Sequence, residues 1–130
     1  MEYTFILPDH IMIPRKTKED KKIMLNMNVY RNLHHTVNNQ IKRLFCPLEL
    51  PPSFQAESVI IDYIVEKPTK RRFDTMNIIS IVDKFFLDWL VCYGYLPDDN
   101  CFNVQYGSIK GNNQCESGRV IANIRIIKEI

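Results

Sequence analysis

The sequence contains no apolar run of the roughly 18 to 20 residues that a membrane-spanning helix requires. Its longest apolar stretch is interrupted by Asp83, Lys84 and Asp88. The N-terminal residues, MEYTFILPDH, lack the basic region and the small-residue cleavage site of a secretory signal. We therefore expect no membrane partner and an intracellular location.

The four cysteines form no CxxC pair, and no histidine follows them at zinc-finger spacing. This pattern excludes the common zinc-binding motifs and favours a reduced, intracellular setting. No internal repeat or low-complexity segment is present. A length of 130 residues, with 45% apolar and 25% charged residues, predicts one soluble globular domain over residues 1–130.

The net charge of +2 is small, but the basic residues are clustered. The first basic cluster comprises Arg15, Lys16, Lys18, Lys21 and Lys22. The second comprises Lys67, Lys70, Arg71 and Arg72 and directly precedes Asp74. Such clusters indicate a polyanionic partner such as DNA. The alternative is a set of solvated loop side chains with no ligand.

The pattern of apolar residues predicts four strands and two helices. YTFILP is a short first strand, and residues 9–26 are expected to form an irregular basic loop. Helical spacing of Val29, Leu33, Val37, Ile41 and Leu44 predicts a helix over about 29–45. ESVIIDYIVEKP, CFNVQYGSI and GRVIANIRIIK have the β-branched composition of strands. The predicted order is β-α-β-α-β-β, an α+β fold with two helices packed on one mixed sheet.

The second helix gives the strongest signal, from about Asp74 or Thr75 to Tyr93, with Gly94 as its C-terminal cap. At 100° per residue, one side of this helix is apolar and faces the core. Its members are Ile79, Val82, Phe86, Trp89 and Tyr93. Cys92 is expected to be a small core side chain.

A polar sector about 80° wide lies opposite this apolar side and contains Asn77, Ser80, Lys84 and Asp88. Asp83 lies about 100° from Lys84, outside the sector. A solvated helix face explains this pattern, and so does a metal site. The turn after the helix contains Asp98 and Asp99, and two adjacent carboxylates become favourable when they bind a divalent cation. An ordinary turn is the alternative, because Pro, Asp and Asn all favour turns.

The order and spacing of these residues resemble the RusA-type Holliday junction resolvases, including their phage-encoded branch. The resemblance covers most of the chain, and its specific part is Arg71 to Asn100. The matching residues are Arg72, Asp74, Asn77, Lys84, Asp88, Gly94, Leu96, Asp98 and Asp99, together with LNMNVYRNLHH at the first helix. The chain departs from the family at Met76, where many relatives carry a second acid. Its second helix is also about one turn longer than in the best-known members.

The resemblance implies a homodimeric, Mg²⁺-dependent crossover junction endodeoxyribonuclease that acts on four-way or other branched DNA in recombination and repair. In a phage-encoded protein this activity would be located in the cytoplasm of the bacterial host. Asp74 and Asp99 would bind the metal, with Asp83 and Asp98 as further candidate ligands. Lys84 is the implied catalytic lysine, and Asp88 completes the catalytic set of Asp74, Lys84, Asp88 and Asp99.

The chemistry of phosphodiester hydrolysis agrees with this assignment. The reaction needs an activated water and neutralisation of negative charge, and carboxylate-bound Mg²⁺ can supply both. Oxygen ligands suit Mg²⁺ or Mn²⁺. Lys84 would stabilise charge that develops on the phosphate. The predicted DNA contacts are Arg15, Lys16, Lys18, Arg31, Lys70, Arg71, Arg72 and Asn77.

Two further functions fit the sequence. Met76 and the small net charge are compatible with a non-catalytic module that binds nucleic acid or protein on the same fold. A small α+β interaction protein without a DNA role is the third possibility. Arg31 either contacts phosphate at the start of the first helix or caps and shields that helix.

Overall fold

The computed structural model describes eight segments of the chain, and every structural statement below concerns them. They are residues 2–7, 12–14, 22–24, 35–45, 48–51, 54–66, 75–112 and 118–130. Four strands form one mixed sheet: β1 (Glu2–Leu7), β4 (Ala56–Glu66), β5 (Val104–Asn112) and β6 (Arg119–Glu129). The helices are α1 (His35–Lys42), which continues into a 3₁₀ turn (Arg43–Phe45), and α2 (Thr75–Cys92). The predicted α+β fold, with two helices against one mixed sheet, is confirmed.

Two short strands, β2 (Met12–Pro14) and β3 (Lys22–Met24), form a separate antiparallel pair. They lie within residues 9–26, so the prediction of an irregular loop is wrong at these six positions. Met12 pairs with Met24 and Ile13 pairs with Ile23.

The strand order in the large sheet is β1-β6-β4-β5. β6 runs antiparallel to both β1 and β4, whereas β4 and β5 are parallel. A parallel pair requires a long crossover connection, and α2 provides it between β4 and β5. No helix in the described part of the chain is long and apolar enough to cross a membrane.

The core lies between α2 and one face of the sheet. Alternate residues of β4 and β6 point towards the helix and are fully buried, among them Ile61, Tyr63 and Ile124. Phe5 of β1 packs edge-on against Phe86 and Trp89 of α2, and the predicted core position of Trp89 is confirmed. On its other side, α2 packs against the 3₁₀ turn.

That second contact is a stack of Phe45 on Phe85, with ring centroids 6.0 Å apart. The helix prediction placed Leu44 on the buried face, but Leu44 is 55% exposed and Phe45 is buried. The tighter winding of the 3₁₀ turn changes the direction of the side chains by this point. Because α2 is covered on two sides, its buried surface is much wider than the apolar stripe predicted from sequence.

The C-terminal end of α2 is a Schellman motif. Gly94 has a φ of +78°, its N–H donates to Val91 O at 3.0 Å, and Tyr95 N–H donates to Leu90 O at 2.9 Å. The predicted glycine cap is confirmed. The predicted burial of Cys92 and Tyr93 is wrong, because both are exposed. After the cap the chain turns back, and Tyr95 also packs against Trp89, with ring centroids 5.3 Å apart.

No described element covers the other face of the sheet, which we call the open face. Arg125 lies on it, as expected from its alternation with Ile124. An apolar row crosses three strands of the open face, because Ile6 pairs with Ile121 and Ile121 pairs with Ile64. A polar row beside it runs through Asn123 and Asp62.

Candidate active site

The centre of the candidate site is Asp83, which α2 presents to the edge of the sheet. Tyr63 of β4 donates a hydrogen bond to its Oδ1, and Tyr106 of β5 donates one to its Oδ2. The two tyrosine rings stack at 6.4 Å. Asp83, which was predicted to lie outside the polar sector of α2, therefore lies between the helix and the two parallel strands β4 and β5.

The surroundings of Asp83 favour its neutral form. Burial raises its pKa above the ordinary value, although the hydrogen bonds from Tyr106 and Tyr63 oppose this effect. The negative charge of Asp99 raises the pKa of Asp83 further, and the charge of Lys84 lowers it. Burial also raises the pKa of Tyr63 and of Tyr106, so both hydroxyls stay protonated and act as donors.

Asp98 and Asp99 have different roles in the turn after α2. Asp98 Oδ1 accepts the backbone N–H of Asp99 at 2.7 Å, and its Oδ2 accepts Asn100 Nδ2 at 3.3 Å. These contacts are typical of a turn-forming aspartate. Asp99 is exposed, and its charge acts on both Asp83 and Tyr106. Of the two acids, Asp99 is therefore the better candidate for a metal ligand at Asp83.

The polar sector of α2 is divided between two surfaces. Lys84 is exposed and close enough to Asp83 to affect its pKa. Ser80 donates from its hydroxyl to Met76 O at 2.6 Å, one turn earlier. Asp88 instead lines a groove between α2 and α1, together with Lys42 and Trp89. The groove has a volume of about 160 Å³. Asp88 therefore faces a different surface from Asp83, and its catalytic role stays a prediction.

Several predicted site residues lie outside the described residues. They are Asp74, Arg15, Lys16, Lys18, Arg31, Lys70, Arg71 and Arg72, and the side chain of Asn77 in α2 belongs with them. Their predicted roles stay predictions. Asp74 immediately precedes Thr75, the first residue of α2. Because α2 rises about 12 Å from Thr75 to Asp83, an ion bound at Asp83 would lie more than two turns from the start of the helix.

The acids around Asp83 provide part of a site for a divalent cation. Among the described residues, no three His, Cys, Asp or Glu side chains come together as a complete ligand set. Asp83 and Asp99 nevertheless provide carboxylate oxygens of the kind that Mg²⁺ prefers. Two neighbouring carboxylates, one of them partly buried, repel each other, and a cation between them would relieve that repulsion. The pair fits part of a Mg²⁺ site, and the metal-binding role of Asp74 stays a separate prediction.

Sequence reasoning missed Tyr63 and Tyr106, the two partners of Asp83, and also missed Asp62. Tyr63 occupies a core-facing position of β4, where its hydroxyl needs a polar partner. That requirement could have predicted the contact, because Asp83 is a carboxylate beside the apolar face of α2 and can accept the hydrogen bond. Tyr106 gave a weaker signal, since an irregularity between β4 and β5 decides which way it points.

Comparison with known proteins adds no family assignment. No protein-family model matches the chain, and no curated protein matches it either.

Proposed function

We propose that this chain is a Mg²⁺-dependent, structure-selective endonuclease that hydrolyses phosphodiester bonds in four-way or other branched DNA. The observation that carries the proposal is a carboxylate, Asp83, held by two tyrosines between α2 and the parallel strands β4 and β5, with Asp99 exposed in the turn after the helix. Asp83 is fixed by two tyrosines, and exposed Asp99 lies close enough to raise its pKa. The resemblance of Arg71 to Asn100 to the RusA-type resolvases supports the same activity.

The residues of the site have distinct tasks in this proposal. Asp99 and Asp83 would hold Mg²⁺ (or Mn²⁺), which would supply charge neutralisation and an activated water. Asp74, immediately before α2 in the sequence, keeps a predicted metal-binding role, but it is too far along the helix to bind the same ion as Asp83. Tyr63 and Tyr106 keep the Asp83 carboxylate in one orientation. Lys84 is exposed beside Asp83, where its ammonium group would stabilise negative charge on the phosphate.

The proposed enzyme acts as a homodimer. A four-way junction has approximate twofold symmetry, and resolving it requires two paired nicks. Each chain offers one acidic site, so a twofold dimer supplies two sites of matched geometry. The basic clusters of both chains would contact the phosphates of the junction arms, which makes binding sensitive to salt.

A cleavage assay tests this proposal. The substrate is a four-way junction of labelled synthetic oligonucleotides, incubated with the wild-type chain in MgCl₂ or in excess EDTA. We expect paired cuts in MgCl₂ alone, and a loss of more than roughly tenfold in rate for Asp99→Asn. Glu57→Gln is the matched control, because it removes an exposed carboxylate that forms an ion pair with Lys128 at 3.0 Å.

A second candidate function is a non-catalytic module that binds branched DNA. It is favoured by one observation, namely that both oxygens of Asp83 already accept hydrogen bonds from tyrosines. Asp83 would then serve the structure alone. Salt-sensitive junction binding without cleavage in MgCl₂ or MnCl₂ would select this function over the nuclease.

A further inference from the structure

Strands β4 and β5 fall out of simple register beside the candidate site. Ile61 of β4 pairs with Tyr106 of β5. The next aligned pair is Tyr63 with Ile109, which is two residues further along β4 but three residues further along β5. β5 therefore contains one extra residue at this point, which is a β-bulge. The bulged residues, Gly107 and Ser108, lie beside Asp62.

Asp62 binds this bulge from the open face of the sheet. Its Oδ1 accepts the backbone N–H of Ser108 at 2.7 Å and is 3.2 Å from the Ser108 hydroxyl. Its Oδ2 accepts a hydrogen bond from Arg125 of β6 at 3.1 Å. The backbone hydrogen bond from Ser108 and the charge of Arg125 lower the pKa of Asp62, so it is ionised when it makes these contacts. One carboxylate thus links both neighbours of β4.

A side chain larger than that of glycine at position 107 would force this carboxylate to move. A Cβ atom on Gly107 would lie 2.1 Å from Asp62 Oδ1, well inside van der Waals contact. Glycine therefore lets the backbone of β5 approach Asp62. This close fit indicates that the carboxylate and the bulge form one unit.

The extra residue decides which side chains of β5 face α2. Tyr106 and Ile109 both point towards the helix side, although they are three residues apart and would face opposite sides in a regular strand. Ile109 packs against the core, and Tyr106 reaches Asp83 while remaining 47% exposed. Without the bulge, a regular β5 could not present both residues to α2.

We propose that Asp62 is a positioning residue. From the opposite face of the sheet it locks the bulge at Gly107 and Ser108, and the bulge in turn holds the Tyr106 hydroxyl on Asp83. Asp62 touches neither Tyr106 nor Asp83 and acts through the backbone of β5. Its contribution to DNA cleavage rests on the proposed function, whereas its effect on Tyr106 does not.

The test measures how fast the tyrosine hydroxyl protons exchange with solvent. In protein labelled with ¹³C at tyrosine Cζ, NMR gives this rate from the isotope shift that a deuterated hydroxyl causes at Cζ. The variants Tyr63→Phe and Tyr106→Phe assign the two signals. In Asp62→Ala we expect hydroxyl exchange at Tyr106 to accelerate by about tenfold or more, as loss of one hydrogen bond implies. Exchange at Tyr63 should not change, because Tyr63 belongs to β4 and does not depend on the bulge.

Two further variants keep the test decisive. Asp62→Asn retains an oxygen that can accept the Ser108 N–H, so it should restore slow exchange at Tyr106. Gly107→Ala attacks the same contact from β5 and should accelerate exchange at Tyr106 even if Asp62→Ala does not fold. Glu57→Gln, on the same strand and remote from the bulge, should leave both rates as in the wild type.

Equal acceleration at Tyr63 and Tyr106 would overturn the proposal, because it would show general loosening of the fold. Unchanged exchange at Tyr106 in Asp62→Ala and Gly107→Ala would overturn it as well. Cleavage is measured separately. A wild-type chain that cuts no junction would count against the nuclease, while the exchange rates would still decide the role of Asp62.

Discussion

The carboxylate of Asp83 in α2 accepts a hydrogen bond from the hydroxyl of Tyr63 in β4, twenty residues earlier in the chain. Tyr63 is fully buried, so its hydroxyl has no access to bulk water. Each group thus depends on the other, since an unpaired buried hydroxyl costs free energy. This pair makes Asp83 a contributor to stability as well as a candidate metal ligand.

Asp83→Asn should become relatively more stable than the wild type as the pH rises. The pKa of Asp83 is raised in the folded protein, so the folded state binds more protons than the unfolded state above the ordinary value of 3.8. The contribution of Asp83 to the free energy of unfolding of the wild type is therefore lost as the pH rises from 3.8 to the raised pKa. Asn does not titrate, and it can still pair with both tyrosines. Thermal unfolding of both proteins at a series of pH values measures the difference.

A difference in unfolding temperature that does not vary with pH would contradict this prediction. Asp83→Leu is the comparison variant, because it leaves the Tyr63 hydroxyl buried without its acceptor. We expect it to be destabilised at every pH by about 1–3 kcal/mol.

Asp74→Asn should abolish cleavage of a four-way junction while leaving junction binding largely intact. The substitution removes a charged metal ligand with almost no change in size, and binding depends instead on the basic clusters. Affinity should therefore fall steeply with salt in both proteins. Gel-shift titrations at several salt concentrations and a cleavage assay measure the two properties. Full activity in the variant would remove Asp74 from the catalytic set.

Gly94→Ala should destabilise the chain through its backbone alone. A Cβ at this position meets no atom within 4 Å, but φ is +78°, which L-residues rarely adopt. We expect a loss of about 1–2 kcal/mol in the free energy of unfolding, measured by urea titration. Gly94→Asn should lose less, because asparagine tolerates this conformation better. Equal losses in the two variants would show that some other effect dominates.

The chain should form a twofold-symmetric homodimer at micromolar concentration, with apolar residues of the first helix and the last strands in the interface. Light scattering or analytical ultracentrifugation measures the mass. Ile121→Lys places a charge in the apolar row of the open face and tests whether this surface contributes, with exposed Ile130→Lys as the control. A strict monomer that still makes paired nicks would contradict the dimer model.

The fold was predictable from sequence because its elements have strong local patterns. The alternation in β4 and β6 places Ile61 and Ile124 in the core, and Gly94 marks the end of α2. The failures occur where local geometry departs from a regular period. Leu44 is turned outward by a 3₁₀ turn, and Tyr93 lies in the last turn before the chain reverses at Gly94.

The candidate site was only partly predictable. Asp83 and Asp99 could be selected from motif and spacing, but the partners of Asp83 come from strands 20 and 23 residues away. No helical wheel relates residues on different elements. The direction of the Tyr106 side chain depends on the bulge in β5. The local sequence QYGS does not predict that bulge, because the bulge also depends on Asp62 of the neighbouring strand.

The position of β6 between β1 and β4 has a consequence for biosynthesis. β6 (Arg119–Glu129) pairs with β1 but follows all the other described strands in sequence, so a ribosome must synthesise β6 before β1 can pair in the sheet. Until then β1 and one edge of β4 expose unpaired backbone groups, which favour association with other chains. The β4-α2-β5 unit, by contrast, is contiguous and can assemble earlier, so the acids at the candidate site can come together while the sheet is still incomplete.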